Sequence, residues 1–234
     1  MNELLLQAMN GAKQVMRAQS VNANNLANLS TDGFRAELTH IANLADGMVG
    51  SPDLAPGIVR TTGNSLDISI NGKGWIAVMS ADGSEGYSRR GDMRVDALGQ
   101  LTDGAGNPIL GNSGPIALPP FEAIEIAKDG TISIQPLGQA PNTMATLDRI
   151  KLVLPVERDL QRGEDGMMRL QSGENLKADA SVQIFSGTLE GSNVNSVGEM
   201  VKMIDLARQF ESQIQLMQTD KENSSALAKL LGMN

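Results

Sequence analysis

The sequence predicts an α+β protein in which long N- and C-terminal helices, coiled-coil-like in their spacing, flank a mainly antiparallel all-β domain. Three observations carry the prediction. Apolar and small residues recur at alternating steps of three and four over residues 3–29 and again over 194–231. Between these ends, short segments alternate apolar with polar at period two, punctuated by Gly, Pro, Asn and Asp. Aromatics make up only 3% of the 234 residues, so the core is expected to be built from Leu, Ile, Val, Met and Ala.

Residues 1–34 read as one helix and its terminal turn. Leu5, Ala8, Ala12, Val15, Gln19, Asn22, Leu26 and Leu29 form the seam. It is narrow, and a helix with so little apolar area is marginal alone in water. Four amides, Asn22, Asn24, Asn25 and Asn28, crowd its last turns although Asn is a poor helix former. A solvated helix end is the plain reading of that cluster, and a register-setting interface is the sharper one. Ser30-Thr31-Asp32-Gly33 is turn chemistry, with Gly33 suited to a positive φ and Phe34 placed to pack back.

Residues 35–59, with Asp46-Gly47, Gly50-Ser51-Pro52 and Ala55-Pro56-Gly57, read as an extended linker. Residues 60–192 read as the β domain. Its strand signals are "LDISI" (66–70), "MRVDA" (93–97), "IEI" (124–126), "ISI" (132–134) and "IKLVL" (150–154). Ala127-Lys128-Asp129-Gly130-Thr131 joins two of these as a hairpin. Residues 193–234 read as the C-terminal helix, with Met200, Met203, Ala207, Phe210, Ile214, Met217, Lys221, Ser224, Ala228 and Leu231 on its seam. No Pro or Gly interrupts Glu199 to Leu231. At 1.5 Å per residue such a helix is about 50 Å long. Two narrow amphipathic helices outside a self-sufficient β domain can pair with each other or with helices of other subunits, and bundling between chains buries the seams best, which points to assembly.

Composition narrows the function classes. The formal net charge is −8, with 19 basic and 27 acidic residues. No basic run occurs, which argues against binding nucleic acid or an anionic membrane. Cys is absent, excluding disulfides and thiol chemistry. The apolar run Leu4–Leu6 is too short for a signal-peptide core or a membrane span, and an acid, Glu3, precedes it. The expectation is a soluble, uncleaved chain without membrane insertion.

No motif makes a persuasive active site. "NGKGW" (71–75) hints at a phosphate loop, but Gly74 follows Lys73 where Ser or Thr is needed, and a tight turn is the better reading. "TDGAGN" (102–107) lacks the further acids and closing Glu of a calcium loop. Glu122/Glu125 and Glu164/Asp165 are candidate acid/base pairs for glycan cleavage, with a solvated strand edge or turn as the plain alternative. The single histidine, His40, has no Cys or second His to share a metal. No enzyme activity, cofactor or metal is expected.

The ends are specific enough to place the chain. "NANNLANLSTDGF" (22–34) resembles the asparagine-rich signature near the N-terminus of bacterial flagellar rod and hook proteins, and "LEGSNVNSVGEMVKMIDLARQFESQIQLM" (189–217) resembles their C-terminal signature. "ADGSEGYSRRGDMRVDALGQLT" (81–102) and "RGEDGMMRL" (162–170) fit the same family. Asp32 stands where the family often has Pro and Ser88 where Thr is usual, and residues 35–59 are short for the family. The "LARQFE" and "GSNVN" wording resembles the proximal-rod type more than the distal-rod protein or another axial paralogue. A β-rich glycan-binding or hydrolytic module is the reading from a different class.

The resemblance implies a structural subunit of the basal-body rod, assembling helically into a torque-transmitting hollow shaft across the periplasm. Its implied partners are further copies of itself, other rod proteins and the flagellar type III export apparatus, through which it passes without a cleaved signal peptide. Terminal helices would line the channel and order on assembly. Seam and signature positions together nominate the subunit-interaction residues: Leu5, Val15, Asn24, Asn25, Leu26, Asn28, Thr31, Gly33 and Phe34, with Asn193, Asn195, Met200, Met203, Phe210, Ile214 and Met217. Asn24, Asn25 and Asn28 are expected to hydrogen-bond sideways to neighbouring subunits and to backbone ends, because a buried amide penalises a wrong register more than a leucine does.

Overall fold

In a computed structural model the chain divides into two compact units, one of residues 1–29, 37–51 and 194–234, the other of residues 30–36 and 52–193. The structure describes residues 3–43, 47–139, 143–163 and 165–232.

The first unit is helical. Helix α1 (Glu3–Ala27) packs against α2 (Ser196–Leu231), and strands β1 (Glu37–Asn43) and β2 (Gly47–Pro52) form a two-stranded sheet within the stretch read as a linker. The seams that were expected to bundle between chains thus meet each other within one chain. Asn22 lies against Glu199, and further back Gly11 lies against Gln213, so the helices run antiparallel. A Cβ on Gly11 would come within 3.1 Å of the Gln213 side chain, and the flanking buried residues are Ala8, Ala12 and Ala18. Small residues let the backbones approach closely, at the cost of little apolar area buried.

Along α2 the expected seam holds only in part. Phe210, Ile214 and Met217 are half-buried, but Met200, Met203 and Ala207 are exposed, and the inward row before Phe210 is Glu199, Lys202 and Leu206. The cause is polar: Glu199 faces α1 to accept hydrogen bonds from its amides, which turns Met200 and Met203 outward. The side chains of Ser224, Ala228 and Leu231 lie outside the described residues. No described helix is long and apolar enough to cross a membrane.

The second unit is built from short strands. A five-stranded sheet runs in the order β12 (Leu152–Val153), β5 (Trp75–Met79), β6 (Glu85–Ser88), β14 (Met168–Leu170), β13 (Leu160–Arg162). A three-stranded sheet orders β11 (Ala145–Arg149), β10 (Thr131–Pro136), β9 (Phe121–Ile126). Strands β3 (Val59–Thr61) and β4 (Ile68–Asn71) pair with β16 (Thr188–Glu190) and β15 (Gln183–Ser186), and β7 (Arg94–Val95) pairs with β8 (Leu101–Thr102). Each of these pairings is antiparallel.

The β9–β10 hairpin turns at Gly130 (φ +87°), as its sequence predicts. Strand β5 escaped the alternation test for a physical reason. Its Ile76 and Val78 enter one core cluster with Ile68, Leu101 and Ile132, while Trp75 and Ala77 enter a second with Tyr87 and Val153. A strand covered on both faces reads as a continuous apolar run.

Candidate functional site

The two terminal signatures converge within the β unit on one buried carboxylate. Glu190, at the end of β16, is 2% exposed and lies between Arg35 (2%) and Arg89 (6%). Arg35 Nη2 donates to Glu190 Oε1 at 2.6 Å and Arg89 Nη1 to Oε2 at 3.0 Å. The Gly57 amide also donates to Oε1, at 2.8 Å. The Glu190 carbonyl accepts from the Gly33 amide at 2.6 Å. Gly33 adopts φ +70°, and a Cβ there would press within 2.3 Å of the Arg89 backbone. Glycine is therefore required for both conformation and clearance.

Neighbouring contacts extend the clamp. Arg89 Nη2 donates to the Gly72 carbonyl at 2.7 Å, and its guanidinium lies 5.5 Å over the Trp75 ring. Arg162 donates to the Arg35 carbonyl and lies 4.8 Å over the Phe34 ring. Asn193 closes the other side: its Oδ1 accepts from the Ala36 amide at 2.6 Å, and its Nδ2 donates to the Asp53 and Ala55 carbonyls at 3.0 and 2.9 Å. Burial lowers the Arg89 guanidinium from its usual value, and Glu190 opposes that shift. Three charges taken out of water persist only because each is paired and hydrogen-bonded.

The helical unit holds the amides. Asn25, fully buried, donates from Nδ2 to the Glu37 carbonyl at 3.0 Å and accepts the Glu37 amide at 2.9 Å, imitating a strand pairing with its side chain. Asn22, also fully buried, donates to the Glu199 carbonyl at 3.0 Å and to its carboxylate. Asn28 Nδ2 bonds the Asn24 carbonyl in its own helix at 2.9 Å. Of the bonds expected of these amides, Asn25 and Asn28 make the backbone ones within the chain, and Asn24 is exposed. Asn195 caps α2, accepting the Gly198 amide on Oδ1 at 3.1 Å. Thr31 accepts the Phe34 amide in the turn, and Leu5, Val15 and Leu26 are half-buried on α1.

The residues weighed for catalysis have structural duties or none that converge. Glu122 and Glu125 are exposed on the edge strand β9, where Glu122 accepts from Gln135 at 3.0 Å. Asp165 is held down to about 2, chiefly by Arg169, and Ser80 also donates to it. Glu164 and the side chain of His40 lie outside the described residues. "NGKGW" is the turn between β4 and β5, with Gly72 at φ +81°, and Asp103 of "TDGAGN" spends its carboxylate on the Ala105 and Asn107 amides. Among the described residues no group of three or more His, Cys, Asp or Glu is placed to hold a metal ion.

Sequence reasoning passed over Arg35, Arg89, Arg162 and Glu190, although three of them sit inside the quoted signatures. The available signal was a charged residue within two positions of a glycine in "YSRRG", "RGEDG" and "LEG".

Comparison with known proteins accounts for all three zones. Residues 5–35 match the family described as flagella basal body rod protein, residues 69–134 the flagellar hook protein FlgE/F/G D1 domain, and residues 186–230 the flagellar basal body rod FlgEFG protein C-terminal region. The chain is 40% identical to the flagellar basal-body rod protein FlgF of Escherichia coli (strain K12), over 100% of both chains. The FlgF of Salmonella typhimurium is likewise 40% identical over 100% of both. The flagellar basal-body rod protein FlgG of Buchnera aphidicola subsp. Acyrthosiphon pisum is 29% identical over 94% of this chain and 97% of its own. With its two ends and its centre matched in order and whole-length relatives at this identity, the chain belongs to the flagellar basal-body rod protein family, as a structural component of the rod.

Proposed function

We propose that the chain is a proximal-rod subunit that assembles helically, with copies of itself and with other rod proteins, into a hollow torque-transmitting shaft. The shaft serves also as an export conduit across the periplasm, lined by the terminal helices. Subunits reach it through the flagellar type III apparatus without cleavage, and the role is not enzymatic. The nominated seam and signature residues act in this reading as two groups. Gly33, Phe34 and Asn193 shape the subunit from within, and the outward apolar positions make contacts between subunits.

One observation carries the reading. The inward face of α1 is mostly alanine and amide, while large apolar residues remain outside on both helices: Val197 is 70% exposed, Met200 57%, Ile204 54%, Met16 57% and Met9 52%. Apolar area distributed along both helices is what a packed helical tube covers with neighbouring copies. The test is Ile204→Asp in a strain lacking the native copy. Being half-exposed, it should leave the melting of the purified chain within about 0.5 kcal/mol of the parent. Swimming and the number of basal bodies with complete rods should both collapse. Normal motility with this variant contradicts the reading.

A further inference from the structure

We propose that Asn71 is a site of spontaneous deamidation, the Asn71–Gly72 peptide cyclising in the folded chain and, on ring opening, loosening the turn that Arg89 holds. The proposal depends on the fold of the β unit alone and stands whether or not the chain is a rod subunit.

Cyclisation needs an asparagine side chain that can swing onto the next residue's amide nitrogen, and a nitrogen free to attack. Glycine favours the step because it has no Cβ to block the approach. The sequence holds two such pairs, Asn10-Gly11 and Asn71-Gly72, and the fold treats them oppositely. Gly11 lies inside α1, where an amide donates to the carbonyl four residues back. A Cβ there would stand 3.1 Å from the Gln213 side chain. Asn71 is instead the last residue of β4, paired with Gln183, and Gly72 begins the turn at φ +81°. Both are exposed. Among the described residues nothing bonds the Asn71 side chain, and nothing accepts from the Gly72 amide. The space is open, with no atom within 4 Å of a Cβ built on Gly72.

Glycines that follow aspartate, where the same ring could form, are restrained by comparison. The amides of Gly33, Gly83, Gly130 and Gly166 donate to carbonyls at 2.6, 2.9, 2.9 and 3.0 Å. Asp103, before Gly104, has its carboxylate held by the Ala105 and Asn107 amides. An amide whose hydrogen is engaged on a fixed turn cannot bring its nitrogen onto the side chain. Among these pairs, Asn71–Gly72 has both reactants free.

The Gly72 nitrogen attacks Asn71 Cγ and forms a C–N bond, and the side-chain nitrogen leaves as ammonia, carrying the Gly72 amide proton. Water then opens the five-membered imide at either carbonyl. Opening at Cγ leaves aspartate on the original main chain. Opening at the main-chain carbonyl leaves isoaspartate, whose main chain runs through Cγ and is one methylene longer.

The two products differ in effect. The Gly72 carbonyl accepts from Arg89 Nη2 at 2.7 Å, and Arg89 is only 6% exposed. Aspartate adds a charge at an exposed position and leaves that bond in place. Isoaspartate displaces the Gly72 carbonyl and strands a buried donor, which is costly.

The full chain is incubated in warm, mildly alkaline buffer, with and without urea, and its peptides are mapped by mass spectrometry. Without urea, position 71 should convert about tenfold faster than position 10 or more, because Asn10 reacts only when α1 opens. In urea the two should convert at similar rates. Acidic fractions are separated by ion exchange and melted, with Trp75 fluorescence as the signal. The isoaspartyl fraction should melt about 2–12 °C below the parent, while Asn71→Asp, the other product made directly, should melt with it. Asn71→Gln, which cannot close a five-membered ring, should keep the parent's melt and give no isoaspartyl fraction. No conversion at position 71, equal conversion at both positions in the folded chain, or an isoaspartyl fraction that melts with the parent would overturn the proposal.

Discussion

Replacing Glu190 by Gln removes the charge on which the clamp closes while keeping its shape. In the parent, both carboxylate oxygens are engaged: Arg35 at 2.6 Å and Gly57 at 2.8 Å on one, Arg89 at 3.0 Å on the other, with the side chain 1% exposed. An amide offers one acceptor and turns an NH2 toward the remaining guanidinium. Both arginines stay buried without a counter-charge. Breaking a buried ion pair by removing one partner costs about 3–5 kcal/mol, and with two cations stranded the upper part of that range is expected. For a unit of this size each kcal/mol moves the midpoint by about 2–4 °C, so Glu190→Gln should melt roughly 8–20 °C lower. The matched control is Arg60→Ala. Its pair with Asp32 at 2.8 Å is chemically alike but leaves Arg60 60% exposed, so under about 1 kcal/mol is at stake. The single tryptophan, Trp75, reports on this unit directly, lying 5.5 Å below the Arg89 guanidinium. Thermal and urea melts followed by its fluorescence are the assay. If Glu190→Gln stays within 1 kcal/mol of the parent, or Arg60→Ala costs as much, the clamp does not hold the β unit together as argued.

Two further outcomes are expected. The chain has one tyrosine, Tyr87, whose phenol burial pushes up to about 12 while the Leu176 amide donates to it at 2.8 Å. Ultraviolet titration should give a midpoint near 12 in the folded chain and near the ordinary value of 10 in urea. Because the folded value is the higher one, this group's contribution to stability is complete below pH 10 and is lost as the pH rises toward 12. Asn25→Leu should cost about 1–3 kcal/mol of helical-unit stability, since it strands the Glu37 amide and carbonyl, whereas Asn24→Leu at an exposed position should cost almost nothing. Amide exchange along α1 separates them, and equal protection in both variants would contradict the intramolecular role of Asn25.

The sequence by itself determined what depends on near neighbours. Spacing at three and four marked both helices, Asp129-Gly130 marked the β9–β10 hairpin, and Gly33 marked a turn with positive φ. The wording of the two ends was enough to point to the rod family. Only the tertiary structure decided how far-apart residues share burial. Period alone cannot say that β5 is covered on both faces, so its run of apolar residues carried no alternation to detect. Nor can it say that α2 turns Glu199 inward and Met200 outward, since that rotation is set by Asn22 and Asn25 more than 170 positions away. The amides of α1 were visible as an anomaly, but their partners, Glu37 and Glu199, were not. The clamp was the least legible part. Arg35, Arg89 and Glu190 look like surface charges in a one-dimensional reading, because burial of a charge is stable only when a distant opposite charge meets it, and that meeting is a property of the folded chain.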